Sequence, residues 1–229
     1  MAPDGLLGLL QLADGLFPAG GFAHSFGLET YAQAGLVRDR AGLEAFLAAH
    51  LEGSAGPADA VAAAAAARHA GNDDLAGWTA LDAALHATKS VREYREASLQ
   101  MGRQTARIAA ALEADPFVGA LARTVTEGRT PGHHAVVFGA VTGRGGATPG
   151  AIAAAYLHAT AALLVGAALR LLPLGQLEGQ RALAAVRSRI RRLAGEAARA
   201  RPEDMWSFAP GLDLAGWEHA RLDLRLFRS

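Results

Sequence analysis

The chain has 229 residues, 51% of them hydrophobic, with no cysteine and with 22 basic side chains against 22 acidic ones. That is enough apolar material for a substantial core, and the lack of cysteine excludes disulfides, thiolate metal ligands and a cysteine nucleophile. A formal net charge of zero gives no support to a general polyanion binder.

No basic stretch precedes the apolar Leu6 to Leu12, and Asp4 and Asp14 flank it, so a secretory leader is not expected and the expected location is the cytoplasm. Pro18, Gly20 and Gly21 do not suit a helix interior, which makes Leu16 to Ala23 a bend. Ser25 is a candidate N-cap for a helix that starts at Phe26. A second helix opens at Arg38-Asp39, carries Leu43, Phe46, Leu47 and Leu51 at helical spacing, and is expected to end at Gly53 to Pro57. Asp59 to Ala70 is almost pure alanine, the residue that gives up least entropy in a helix. After the Gly71-Asn72-Asp73 turn, Leu75, Trp78, Leu81 and Leu85 mark a further helix.

Val91, Tyr94, Ser98, Met101, Thr105, Ile108 and Leu112 then alternate spacings of three and four, the pattern of one long helix. Asp115-Pro116 and Thr148-Pro149 each pair an N-cap residue with a proline at the first helical position. Between them lies a short apolar helix from His134 to Thr142. Ala151 to Leu172 is apolar all round, which places it at the centre of the domain. Gly145 to Leu169 carries no Asp, Glu, Lys or Arg and is long enough to cross a bilayer, but alanine, glycine, threonine and His158 make it a poor span. Beyond Pro173 and Gly175, Leu183, Val186, Ile190, Leu193 and Ala197 form one more stripe. No stretch alternates with period two, so the fold expected is all-α: a single domain, 1–229, of eight to ten helices, with a docking tail from about residue 202.

The residues do not assemble into known chemistry. The one lysine, Lys89, has no glycine-rich loop before it, which excludes a P-loop. The eight histidines show no i, i+3 or i, i+4 pair that aims two imidazoles at one ion, so no metal site and no cofactor are expected. His24 and Ser25 are adjacent, an arrangement that does not bring base and nucleophile face to face, and no third group orients them. The chain is not expected to be an enzyme. Between Gln180 and Arg201 there are seven arginines against one glutamate. They are open to two readings: a solvated face answered by Glu203, Asp204, Asp213 and Glu218, or a nucleic-acid-binding helical module.

The stretch Phe17 to Gly35, FPAGGFAHSFGLETYAQAG, resembles the N-terminal signature of the UreF family of urease accessory proteins. His134 with Gly139, Pro173-Leu174-Gly175-Gln176 with Gly179-Gln180, and Arg225-Leu226-Phe227-Arg228-Ser229 follow in that family's order and spacing. The resemblance implies an interaction protein that bridges an accessory protein of the UreD (UreH) type and the GTPase UreG, and thereby serves apo-urease. Nickel would be handled by the complex, with no site in this chain. It also implies a homodimer, and composition and zero net charge lead to no membrane or nucleic-acid partner being expected. The resemblance assigns partner-binding roles to Phe22, His24, Ser25, Glu29 and Tyr31 in the bend and to Arg225, Leu226 and Phe227 in the tail. Phe22 stands where a relative carries tyrosine, so its contribution would be apolar.

Overall fold

The structure, a computed structural model, describes residues 3–112 and 114–229. It is all-α, with no strand among the described residues. Its helices are α1 (Pro3–Ala13), α2 (Leu28–Gln33), α3 (Arg40–His50), α4 (Val61–Gly71), α5 (Leu75–Thr88), α6 (Arg92–Leu112), α7 (Pro116–Thr126), α8 (His134–Arg144), α9 (Pro149–Leu171), α10 (Gln176–Ala185), α11 (Arg187–Arg199) and α12 (Pro210–His219). Short 3-10 turns lie at Gly21–Ala23 and Pro202–Asp204.

The caps follow the local chemistry. Asp39, Asp74, Asp115 and Thr148 each accept a backbone N–H from the first turn of the helix they precede. Among the described residues the twelve helices exceed the eight to ten expected, because α1 and α12 form in stretches without an expected helix and one expected stripe is divided. The stripe from Leu183 to Ala197 is broken at Val186 into α10 and α11. The bend helix is shorter than expected because Phe26 (φ 48°) and Gly27 (φ 87°) are left-handed, so α2 begins at Leu28.

Gly53 to Pro57 does not end the second helix. Leu51–Ala60 continues it as a π-helix that joins α3 to α4. Proline has no N–H, and the Gly53 carbonyl that residue 57 would bond in an α-helix instead accepts from Phe208 at 2.8 Å, while Pro57 O accepts from Trp206. A Cβ on Gly53 would meet Phe208 O at 2.9 Å, and one on Gly56 would meet the Leu193 side chain at 2.9 Å. These glycines admit neighbouring chain rather than stop a helix.

Helix α4 is deeply buried, with Val61 to Ala67 all buried, and so is its neighbour α8 from Ala135 to Thr142. The two cross backbone to backbone: a Cβ on Gly139 would lie 2.1 Å from Ala63 O, and one on Gly143 would lie 2.8 Å from Ala67 Cα. Helix α9 takes the central place expected for it, packing against elements from both halves of the chain. It separates two cores, giving Ile152 and Tyr156 to the one built on α4 to α8, and Leu157, Ala161 and Leu164 to the one built on α3, α10 and α11. A third side stays open, where His158 and Gly166 are exposed and Leu163 is half-buried. Helix α9 is long and apolar enough to cross a membrane, but here two of its faces are walls of these cores.

Candidate functional site

The bend between α1 and α2 and the segment after α12 meet at one corner of the molecule. Arg228 N–H bonds Ala23 O at 2.8 Å, and Ser229 O accepts from Ser25 N, Phe26 N and Ser25 Oγ at 2.5, 3.1 and 2.9 Å. His24 Nδ1 lies 2.9 Å from Ser229 Oγ. Directly after the bonds from Ser25 N and Phe26 N, Phe26 and Gly27 are both left-handed, which turns the chain into α2. Ser25 is not the N-cap expected, since α2 starts at Leu28 with Gly27 at the cap position; its Oγ accepts Glu29 N at 3.4 Å from two residues further out and donates to Ser229 O.

Glu29, 2% exposed, fixes the next turn of the tail. Its Oε1 accepts Leu226 N–H at 2.6 Å and its Oε2 accepts Phe227 N–H at 3.1 Å. Burial pushes the Glu29 carboxyl up, but the bonds from Leu226, His219 and Phe227 outweigh it, and the net displacement is downward. Behind Glu29 lies the fully buried His219, with Nε2 at 3.0 Å from Glu29 and Nδ1 at 2.6 Å from Glu93. Glu93 in turn meets Arg225 at 3.3 Å. Both ring nitrogens of His219 are thus engaged by carboxylates, which ties Glu29 to Glu93 through one buried side chain. Among the described residues no group of three or more His, Asp or Glu is arranged to hold an ion.

Phe22 is 75% exposed, an unusual place for a phenylalanine. It is not loose. The Arg170 guanidinium lies 3.8 Å from the Phe22 ring centre and 4.1 Å from that of the buried Phe227, and Arg170 also donates to Phe22 O at 2.8 Å. One α9 side chain thus joins the bend to the tail.

Of the eight residues expected to face a partner, the structure exposes Phe22, Arg225 and Leu226. His24, Ser25, Glu29 and Phe227 are buried and hold the tail, so in this conformation they have no surface to offer a partner directly. Tyr31 is half-buried, edge-on to Phe46 at 5.3 Å. Arg170, Glu93 and His219 were not singled out from the sequence. The signal for Arg170 was its position as the charge that closes the long uncharged run. On α11, Arg189 and Arg192 meet Glu52, and Arg192 also meets Glu196. Arg181 meets Glu178 and Arg201 meets Asp204. Four of the seven arginines of the basic run are therefore paired within the chain, and Arg187, Arg191 and Arg199 make no ion pair among the described residues.

Residues 37–187 match the UreF family model. The chain is also 30% identical over 224 residues to the urease accessory protein UreF of Bacillus sp. (strain TB-90), covering 98% of this chain and 99% of that one. The chain belongs to the UreF family. It is 33% identical to the UreF of Arthrobacter sp. (strain FB24), over 97% of this chain and 96% of that one, and 32% identical to that of Trichodesmium erythraeum (strain IMS101), over 96% and 95%. The family model lies between the bend and the tail, while the matches to the individual relatives extend over nearly the whole chain.

Proposed function

We propose that this chain is the scaffold of a urease maturation complex, in which it docks an accessory protein of the UreD or UreH type and the GTPase UreG so that nickel passes to apo-urease. Membership of the UreF family supports the urease connection. The observation that carries the docking is the corner itself: a large aromatic ring left in water, yet clamped by Arg170 to the buried Phe227. A pre-ordered exposed aromatic loses little entropy on binding and contributes about 1.5–3 kcal/mol when covered. Arg225 and Leu226, held outward by the Glu29 and Glu93 network, extend the same surface. An arginine there can grip a carboxylate or carbonyls across an interface in two-point fashion.

In this reading the chain carries no cofactor, nickel is cargo of the complex, and the protein acts in the cytoplasm as a homodimer. Light scattering at micromolar concentration tests the dimer. Co-purification from a host expressing a whole urease operon, with each accessory gene omitted in turn, tests the docking. Capture of the UreD-type protein and of UreG is expected, and recovery of the chain without either contradicts the proposal.

A further inference from the structure

A cavity of about 280 Å³ opens beside Phe22 and Gly166 and runs inward between α1, α6 and α9. Its walls are mostly apolar, with Phe17, Met101 and Leu163 among them, and Arg170 stands at the mouth. Its floor is polar and holds Asp59, Lys89, His50, His134 and Tyr156. Asp59 reaches it from the π-helix, a widened geometry that recurs at functional sites.

The floor is rich in unspent hydrogen-bonding capacity. Lys89, the single lysine of the chain, bonds Asp59 at 2.7 Å with its ammonium largely out of water, which leaves two of its three N–H donors without a protein acceptor among the described residues. His50 is 8% exposed, makes no side-chain hydrogen bond, and buries its Nδ1 without a partner. The rings of His134 and Tyr156 pack together at 5.5 Å and likewise make no side-chain hydrogen bond among the described residues. Burial, helped by the nearby Asp59 carboxylate, holds the Tyr156 hydroxyl well above the ordinary phenol value, so it remains a donor. Burial keeps both imidazoles neutral, each able to turn one N–H to a ligand. Buried polar groups are ordinarily satisfied, and a cluster of unsatisfied donors at the foot of an apolar shaft is what a bound acceptor would complete.

We propose that this cavity binds a small monocarboxylate with an apolar body, its carboxylate meeting Lys89 and Tyr156 and its body lying against Leu163 and Met101. The donors outnumber the one remaining Asp59 oxygen, which favours a ligand that only accepts. A charge-assisted bond from an ammonium largely shielded from water separates a carboxylate from a neutral alcohol of the same shape. The mouth of the cavity shares Phe22 and Arg170 with the docking corner, but Lys89 and Tyr156 lie outside that corner, and failure to bind a carboxylate would leave the docking reading intact.

The test is isothermal titration of hexanoate, with hexanol and acetate as controls. Hexanoate is expected to bind with a Kd at or below about 1 mM, within reach of so small a ligand, and each control at least about tenfold more weakly. Lys89→Met should weaken hexanoate about tenfold or more and leave hexanol unchanged. Because that change strands Asp59, Leu163→Trp provides the second variant, which fills the shaft without touching a charge and should abolish hexanoate binding in a protein that still melts cooperatively. No saturable heat up to about 10 mM hexanoate, hexanol binding as tightly as hexanoate, or undiminished binding in either folded variant would overturn the proposal.

Discussion

The Glu29 carboxylate receives the backbone N–H of Leu226 at 2.6 Å, across 197 residues of sequence. This bond and its neighbour to Phe227 N–H convert a segment that would otherwise fray into part of the folded surface. Glu29→Gln keeps the shape and loses the second acceptor oxygen and the charge facing His219. It should cost about 2–3 kcal/mol in denaturant unfolding and raise hydrogen exchange at Leu226 and Phe227 before the rest of the chain. Unchanged protection at those two amides would show that the tail is held by something else.

Acid should act on the fold through identifiable groups. Burial, followed by Arg228, lowers the His24 pKa to about 4; burial also lowers His50 and His134 to about 4 and His133 to about 2. Each is neutral when folded and takes up a proton on unfolding below its ordinary value of 6.5, so stability is full above that pH and falls as pH drops toward 4. The slope is about 1.4 kcal/mol per pH unit for each histidine that contributes. Glu29 has the opposite charge type with its value lowered from 4.5, so its contribution stands above pH 4.5 and is lost as pH falls through the lowered value. Melting temperatures from pH 7 to pH 4 that stay level would contradict this.

The α4 and α8 crossing leaves no room for a side chain. Gly139→Ala places a methyl 2.1 Å from the Ala63 carbonyl, a clash with backbone that no rotamer relieves. A loss of about 3 kcal/mol is expected, against less than about 0.5 kcal/mol for Gly166→Ala, which meets nothing on the exposed side of α9. Chemical denaturation of the two variants side by side measures the difference.

Much of this fold is legible in the sequence because it is local. Asp39, Asp115-Pro116 and Thr148-Pro149 announce their helices, and the spacing from Val91 to Leu112 gives α6 nearly to the residue. What the sequence hides is long-range. Gly53 and Pro57 carry a helix-ending signal that is cancelled by carbonyl acceptors for residues 206 and 208, partners no local window contains. The eight site residues read alike in the sequence, yet four of them are the buried scaffold of the others, a division set by contacts roughly two hundred positions apart. Arg170 went unremarked because its role exists only once Phe22 and Phe227 are brought to its two sides.

Arg170→Ala removes the piece common to bend and tail. It should lower stability by about 1–2 kcal/mol, through the two ring contacts and the bond to Phe22 O, while leaving the helical content unchanged. UreG capture should fall with it, since Phe22 is then free to move. Full capture with a mobile Phe22 would separate ordering of the ring from docking.

The most direct test of the docking corner is capture of UreG from a urease operon by Phe22→Ala and Arg225→Ala, each compared with the unmodified chain. Phe22 is largely in water and Arg225 makes one partly exposed ion pair to Glu93, so each variant should stay within about 1 kcal/mol of the unmodified chain. Both should retain the UreD-type protein and lose most of the GTPase. Undiminished capture of UreG by both variants, or loss of capture only in step with a fallen melting temperature, would contradict the assignment of this corner as the partner surface.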